Sequence, residues 1–240
     1  MSAILETFAL SRHFGGLKAV NEVSFALDPG SIVALIGPNG AGKTTCFNLL
    51  SGIIKPSSGR VAFQGIDITT QPTHHRARLG VGRTFQIAAT FRSMTVLENV
   101  EVALMAANAN KGDAKKLMEE LGIAAHSNRL ITELAYGDIK RVELAMTLAN
   151  SPAILLLDEP TAGMGVNERH AIMELISELA QARGTTVLFT EHDMNSVFEF
   201  AERILVMDQG ELIADGAPEN IRANPVVQQV YLGNEEISDA

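Results

Sequence analysis

Cysteine is nearly absent: Cys46 stands alone in 240 residues. No intramolecular disulfide and no cysteine-cluster metal site can form from it, and a reducing compartment is the simplest setting for such a chain. A lone cysteine here is expected to be a buried, inert thiol. Long apolar runs are lacking too. The longest, 32–36 and 154–157, are strand-sized, whereas a bilayer-spanning helix needs roughly 20 apolar residues. The amino terminus also lacks a basic-then-apolar leader. The chain is accordingly expected to be neither exported nor membrane-spanning. Basic residues are in deficit, with Lys+Arg 19 against Asp+Glu 28 and a net charge of −9. Such a surface repels nucleic-acid phosphates, so no nucleic-acid partner is expected. Repeats and low-complexity tracts are absent, and 46% hydrophobic with 20% charged residues fits neither disorder nor a fibre. One or two globular domains with a sizeable core remain.

The apolar runs that do occur, at 32–36, 153–157, 185–190 and 203–207, are bounded by turn residues and alternate with amphipathic stretches such as 167–183. That is the pattern of strand-helix-strand crossovers, and it predicts an α/β fold with a mostly parallel sheet flanked by helices. Alternating positions in the first thirty residues, at 59–68 and around Asp208-Gln209-Gly210 predict hairpins, and with them an antiparallel β layer beside the parallel core. Between 95 and 150 the strand signal fades. Segments 96–108, 113–121 and 138–149 read as helices, which predicts a helical subdomain inserted into the core. Residues 233–240 carry Glu235, Glu236 and Asp239 without a basic residue or a period, and are expected to form a mobile acidic tail.

Gly37-Pro38-Asn39-Gly40-Ala41-Gly42-Lys43-Thr44 directly follows the run at 32–36 and opens a helical stretch at 45–50. Strand, glycine-rich loop and helix in that order are what a phosphate-binding P-loop needs. The glycines let backbone N–H groups close around phosphate oxygens, and the helix amino end adds positive dipole. Lys43 reaches the β- and γ-phosphates, Thr44 offers a hydroxyl to Mg²⁺, and Thr45 completes the nucleotide-binding set. Ile154-Leu155-Leu156-Leu157-Asp158-Glu159 ends a buried strand in two carboxylates, at the edge where open α/β sheets bind ligands. Asp158 is expected in the Mg²⁺ shell and Glu159 as the general base that polarises the attacking water, roles that neighbouring acids can partly exchange.

Two other patterns lead elsewhere. Asn110-Lys111-Gly112-Asp113 matches the Asn-Lys-x-Asp pattern that selects guanine in GTPases, but no Asp-x-x-Gly occurs in the chain and the preceding stretch is alanine-rich. It reads as a loop between helices. His74-His75-Arg76 suggests a metal pair, yet adjacent helical positions do not face each other, so a solvated helical face is expected.

The P-loop and the Asp158-Glu159 strand are accompanied by Leu134-Ala135-Tyr136-Gly137-Asp138, whose glycine lies 21 residues upstream of Asp158. This third element resembles the signature loop of ATP-binding cassette (ABC) transporter ATPases, and the three together, in this order, resemble only that family. The resemblance spans roughly residues 4 to 232. It implies an ABC-type P-loop NTPase that binds and hydrolyses ATP with Mg²⁺, its core at 1–94 and 151–232 and its helical signature subdomain at 95–150. It further implies that Gln86 is the Q-loop glutamine near the metal and the catalytic centre. By the same token Phe14 stacks on adenine, Gly163-Met164-Gly165 belongs to the D-loop, and His192 senses the γ-phosphate. Ala135, Tyr136, Gly137 and Asp138 would complete the nucleotide site of a second ATPase subunit, identical or similar, so that two subunits sandwich two ATP molecules. Two transmembrane permease subunits, and indirectly an extracytoplasmic substrate-binding protein, are the further implied partners, with the chain peripheral on the cytoplasmic face of the plasma membrane.

Phe14-Gly15-Gly16-Leu17-Lys18-Ala19-Val20, Arg83-Thr84-Phe85-Gln86, Thr95-Val96-Leu97-Glu98-Asn99-Val100 and Ala162-Gly163-Met164 are most similar to importers of branched-chain and other hydrophobic amino acids. Related importers of urea, amides and aromatic acids, and lipopolysaccharide-export ATPases, share much of this wording. A soluble ABC protein of translation or DNA repair usually has paired cassettes or long coiled-coil insertions, and this chain has neither. Two departures stand out: the stretch from 100 to 134 is short for the amino-acid importers, and Ala135 replaces the usual serine.

Overall fold

The computed structural model describes residues 2–84 and 89–232; Gln86 and the acidic tail at 233–240 lie outside them. The first hairpin, β1 (Leu5–Phe14) and β2 (Leu17–Leu27), is antiparallel, and β1 also pairs with β4 (Ser58–Phe63), which pairs with the short β5 (Ile66–Asp67). These four make one sheet in the order β2-β1-β4-β5, the antiparallel layer expected from the alternation.

The second sheet holds β6 (Val81–Arg83), β3 (Ile32–Ile36), β7 (Ile154–Asp158), β8 (Thr186–Thr190), β9 (Arg203–Asp208) and β10 (Glu211–Gly216) in the order β10-β9-β3-β8-β7-β6. Every pairing is parallel except β9 with β10. The hairpin around Gly210 therefore extends the main sheet, rather than joining the antiparallel layer. Its central strands read as unbroken apolar runs because both faces are covered. Val33, Leu35, Ile154, Leu156 and Leu188 face α1 (Lys43–Ser51), which is pressed between the two sheets by Cys46, Phe47, Leu49 and Leu50. Ala34, Ile36, Leu155, Leu157 and Phe189 face the other way, into a core shared with α6 (Val166–Arg183) and with the helical segment between β6 and β7.

That segment runs through α3 (Val96–Ala106), α4 (Asp113–Glu120) and α5 (Tyr136–Leu148), with single 3-10 turns at Ala124–His126 and Ile131–Glu133. Thr95 and Glu98 close a capping box at the start of α3, which satisfies two of its free N–H groups. The Asn110–Gly112 stretch is a loop that leads into α4 at Asp113, with Asn110 Oδ1 accepting from the Gly112 N–H. Asp138 does not begin α5, as its type would suggest. The helix opens two residues earlier, with extended Ala135 as its cap residue, and Asp138 sits in the first turn. There an acid favours the helix dipole equally well, and it lies 3.6 Å from His126.

After β5 comes α2 (Thr73–Leu79), and here one expectation fails. His74 and His75 are exposed, but Arg76 is 1% exposed. Its guanidinium donates to the Leu49 and Leu50 carbonyls, both at 2.7 Å, and to those of Thr69 and Gln71. It satisfies the carboxyl end of α1, where four carbonyls lack helical partners. The short helices α7 (Met194–Phe200), α8 (Pro218–Arg222) and α9 (Pro225–Leu232) complete the chain.

Candidate active site

The loops after β3, β7 and β8 all leave the carboxyl edge of the parallel strands, and they carry the P-loop, Glu159 and His192 respectively. The first turns sharply at glycines. Gly42 has φ +103, and a Cβ there would lie 2.2 Å from the Ala19 carbonyl, so only glycine lets the amino end of α1 come this close to β2. Lys43 is buried, and its ammonium donates to the Gly37 and Pro38 carbonyls, arching back over its own loop. Thr44 is exposed at the first turn of α1.

These residues form one wall of a cleft of about 790 Å³, lined from Asn39 to Thr45 and by Phe14, Gly16 to Ala19, Glu159, His192 and Gln209. Phe14 is 46% exposed at its rim, with the Arg12 guanidinium 4.5 Å from the ring centre. A half-exposed aromatic ring at the rim of a cleft is suited to stacking a planar base.

At the end of β7, next to Glu159 but not itself lining the cleft, Asp158 is buried and accepts a 2.9 Å hydrogen bond from the Thr190 hydroxyl, with Arg83 3.6 Å away. Burial lowers the pKa of the Arg83 guanidinium, and the charge of Asp158 opposes that shift. Glu159 has φ +50, a costly conformation for a non-glycine residue that persists where its surroundings over-determine it. Its N–H donates to both the carbonyl and the hydroxyl of Thr190, at 3.2 and 3.0 Å. Its carboxylate lies 2.9 Å from His192 Nε2. Behind them Glu191 is buried and bonded to Thr161, and burial holds its carboxyl above the usual range.

A hydroxyl from Thr44 and the carboxylate of Asp158 would be hard-oxygen donors of the kind that hold Mg²⁺ when phosphates and water provide the rest. Among the described residues no group of three or more His, Cys, Asp or Glu could hold a metal by itself. Ala135, Tyr136, Gly137 and Asp138 do not line this cleft. Ala135 and Tyr136 are exposed elsewhere, at the amino end of α5. The sequence assigns no role to Thr190, Arg83 or Glu191. A threonine closing an otherwise apolar buried strand was the one signal available for Thr190.

A family model described as ABC transporter matches residues 20–162, more than half of the chain. The chain belongs to the ABC transporter family. A second model, described as branched-chain amino acid ATP-binding cassette transporter, matches residues 211–237. The cassette is 42% identical to the high-affinity branched-chain amino acid transport ATP-binding protein LivG of Escherichia coli K12, over 96% of this chain and 98% of that one. It is 40% identical to the corresponding protein BraF of Pseudomonas aeruginosa at the same coverage. Among solved structures it resembles the ADP conformation of MJ1267, an ATP-binding cassette of an ABC transporter, with TM-score 0.89, 31% identity and 98% and 100% of the two chains covered. The cassette MJ0796, solved as a dimer with ADP and phosphate, matches with TM-score 0.78, 27% identity and coverage of 89% and 98%. As a member of this family the cassette is an ATPase.

Proposed function

We propose that the cassette binds Mg-ATP in the 790 Å³ cleft and hydrolyses it to drive a membrane importer of branched-chain amino acids. The observation that carries the catalytic part is the 2.9 Å contact between Glu159 and His192 on the wall facing the P-loop. Phe14 stacks on the adenine. The P-loop backbone from Gly37 to Gly42, the amino end of α1 and Lys43 take the phosphates. Glu159 accepts the proton of the attacking water, while His192 orients that carboxylate and meets the γ-phosphate as charge redistributes. Thr44, Asp158 and Gln86 would hold Mg²⁺, which would neutralise developing phosphate charge.

The cleft is finished by the Ala135-Tyr136-Gly137-Asp138 loop of a second ATPase subunit, because this chain's own copy lies outside its cleft. The branched-chain cargo is supported by what the LivG and BraF names say of those proteins and by the match at 211–237. No helix among the described residues is long and apolar enough to cross a membrane, so two permease subunits would supply the pathway and an extracytoplasmic binding protein the substrate. The chain would then be peripheral at the cytoplasmic face. The helical segment 95–150, with a groove of about 470 Å³ between α2, α3 and α5 lined by Ala77, Ala103, Ala107 and Met146, is a candidate for receiving those subunits.

Glu159→Gln keeps the shape and removes the base. It should bind ATP, stall hydrolysis and accumulate a nucleotide-bound dimer in light scattering; a normal rate or a persistent monomer overturns the assignment. Co-purifying the permease subunits from native membranes and measuring which amino acid their binding protein retains tests the cargo.

A further inference from the structure

Glu191 is a buried carboxylate that the chemistry above leaves unused. Its Oε1 accepts two hydrogen bonds from Thr161, the backbone N–H at 2.9 Å and the hydroxyl at 2.6 Å. Glu191 directly precedes His192 in the loop after β8. One side chain thus joins the loop after β7 to the loop after β8. The grip falls two residues beyond Glu159 on one loop and one residue before His192 on the other.

Burying a carboxylate is costly unless its lone pairs are filled, and bonds to an ionised acceptor are stronger than neutral ones. Thr190 fixes Glu159 from the strand side through its N–H, and Glu191 fixes the same loop from beyond it. A second tie runs in parallel: Arg169 of α6 lies 3.2 Å from Asp193 and donates to the Met164 carbonyl at 3.4 Å. Glu159 is therefore held in its left-handed conformation from both directions along the chain.

We propose that Glu191 is a positioning residue for hydrolysis: by tying Thr161 to the residue next to His192, it sets the Glu159 carboxylate against the His192 ring. This rests on the reading of Glu159 as the general base. A displacement of about 1 Å in a reacting geometry can cost on the order of a hundredfold in rate, whereas ATP binding, made mainly by the P-loop, does not pass through this grip.

Steady-state hydrolysis of Mg-ATP by the full chain tests it, with Glu191→Ala, Thr161→Val and Thr161→Ser compared. Glu191→Ala should lower kcat about tenfold or more and Thr161→Val several-fold, both with KM for ATP within about twofold of the parent. Thr161→Ser, which keeps the hydroxyl, should retain the parental kcat. The proposal falls if either lesion leaves kcat within twofold, if Ser behaves like Val, or if KM rises in step with the loss of kcat. Should Glu191→Ala fail to fold, Thr161→Val decides alone, because it removes one hydroxyl at nearly constant volume. Glu159→Gln measured alongside separates the two readings. If it hydrolyses normally, the general-base assignment fails; if it stalls while Thr161→Val does not slow, only the role of Glu191 fails.

Discussion

At the scale of single residues, the site depends on side chains held in conformations they would not choose alone. Glu159 is left-handed, Lys43 folds back onto its own loop, and Asp158 is buried beside Arg83. Cys46 shows the opposite case, a group silenced by its surroundings. It is fully buried between the sheets, and burial pushes its thiol up to about 12. At pH 8 only about one thiol in ten thousand is then ionised, and the thiolate is the reactive form. The folded chain should therefore resist an aromatic disulfide reagent for as long as it stays folded and react within seconds in denaturant. Rapid labelling of the native protein at pH 8 would contradict the burial. The burial of this thiol agrees with the expectation from sequence. The Glu191–Thr161 grip was not legible there, because its partners are 30 residues apart and neither belongs to a local motif.

At the scale of elements, legibility followed burial. Strands covered on both faces announced themselves as apolar runs, and the P-loop could be placed because strand, glycines and helix are contiguous. The start of α5 was misjudged because an aspartate is as welcome in a first turn as at a cap, so residue type alone could not choose between two positions. Arg76 was missed for a different reason. It follows two exposed histidines on one short helix, and its four carbonyl partners come from segments around Leu49, Leu50, Thr69 and Gln71. Burial lowers its pKa only to about 10, so it remains charged at neutral pH against the negative end of α1. Arg76→Met should expose those carbonyls to an apolar side chain and cost about 3 kcal/mol or more, read from the urea midpoint. His75→Ala on the exposed face should stay within about 0.5 kcal/mol. Equal effects would mean that α1 does not depend on this cap.

At the scale of the whole molecule, the chain carries the cleft proposed for the nucleotide and, on another surface, the loop proposed to close a second one. That separation makes the substitution at residue 135 informative. Ala135 is the cap residue of α5 and makes no side-chain hydrogen bond there. A serine hydroxyl at such a position accepts from an N–H of the first turn and typically adds about 1 kcal/mol. Having one donor and two acceptor sites, the same hydroxyl can still donate to a phosphate oxygen. Ala135→Ser should thus do two separable things. The nucleotide-free melting temperature should rise by about 2–4 °C for a domain of this size. The dimer formed with Mg-ATP, measured in the Glu159→Gln background, should tighten by up to about tenfold, since a hydrogen bond to a charged group is worth roughly 1.5–3 kcal/mol before geometric losses. A higher melting temperature with an unchanged dimer constant would mean that the hydroxyl serves α5 alone and that residue 135 does not face the opposite nucleotide. A tighter dimer without a change in melting temperature would place it against the phosphate and leave the cap unmade.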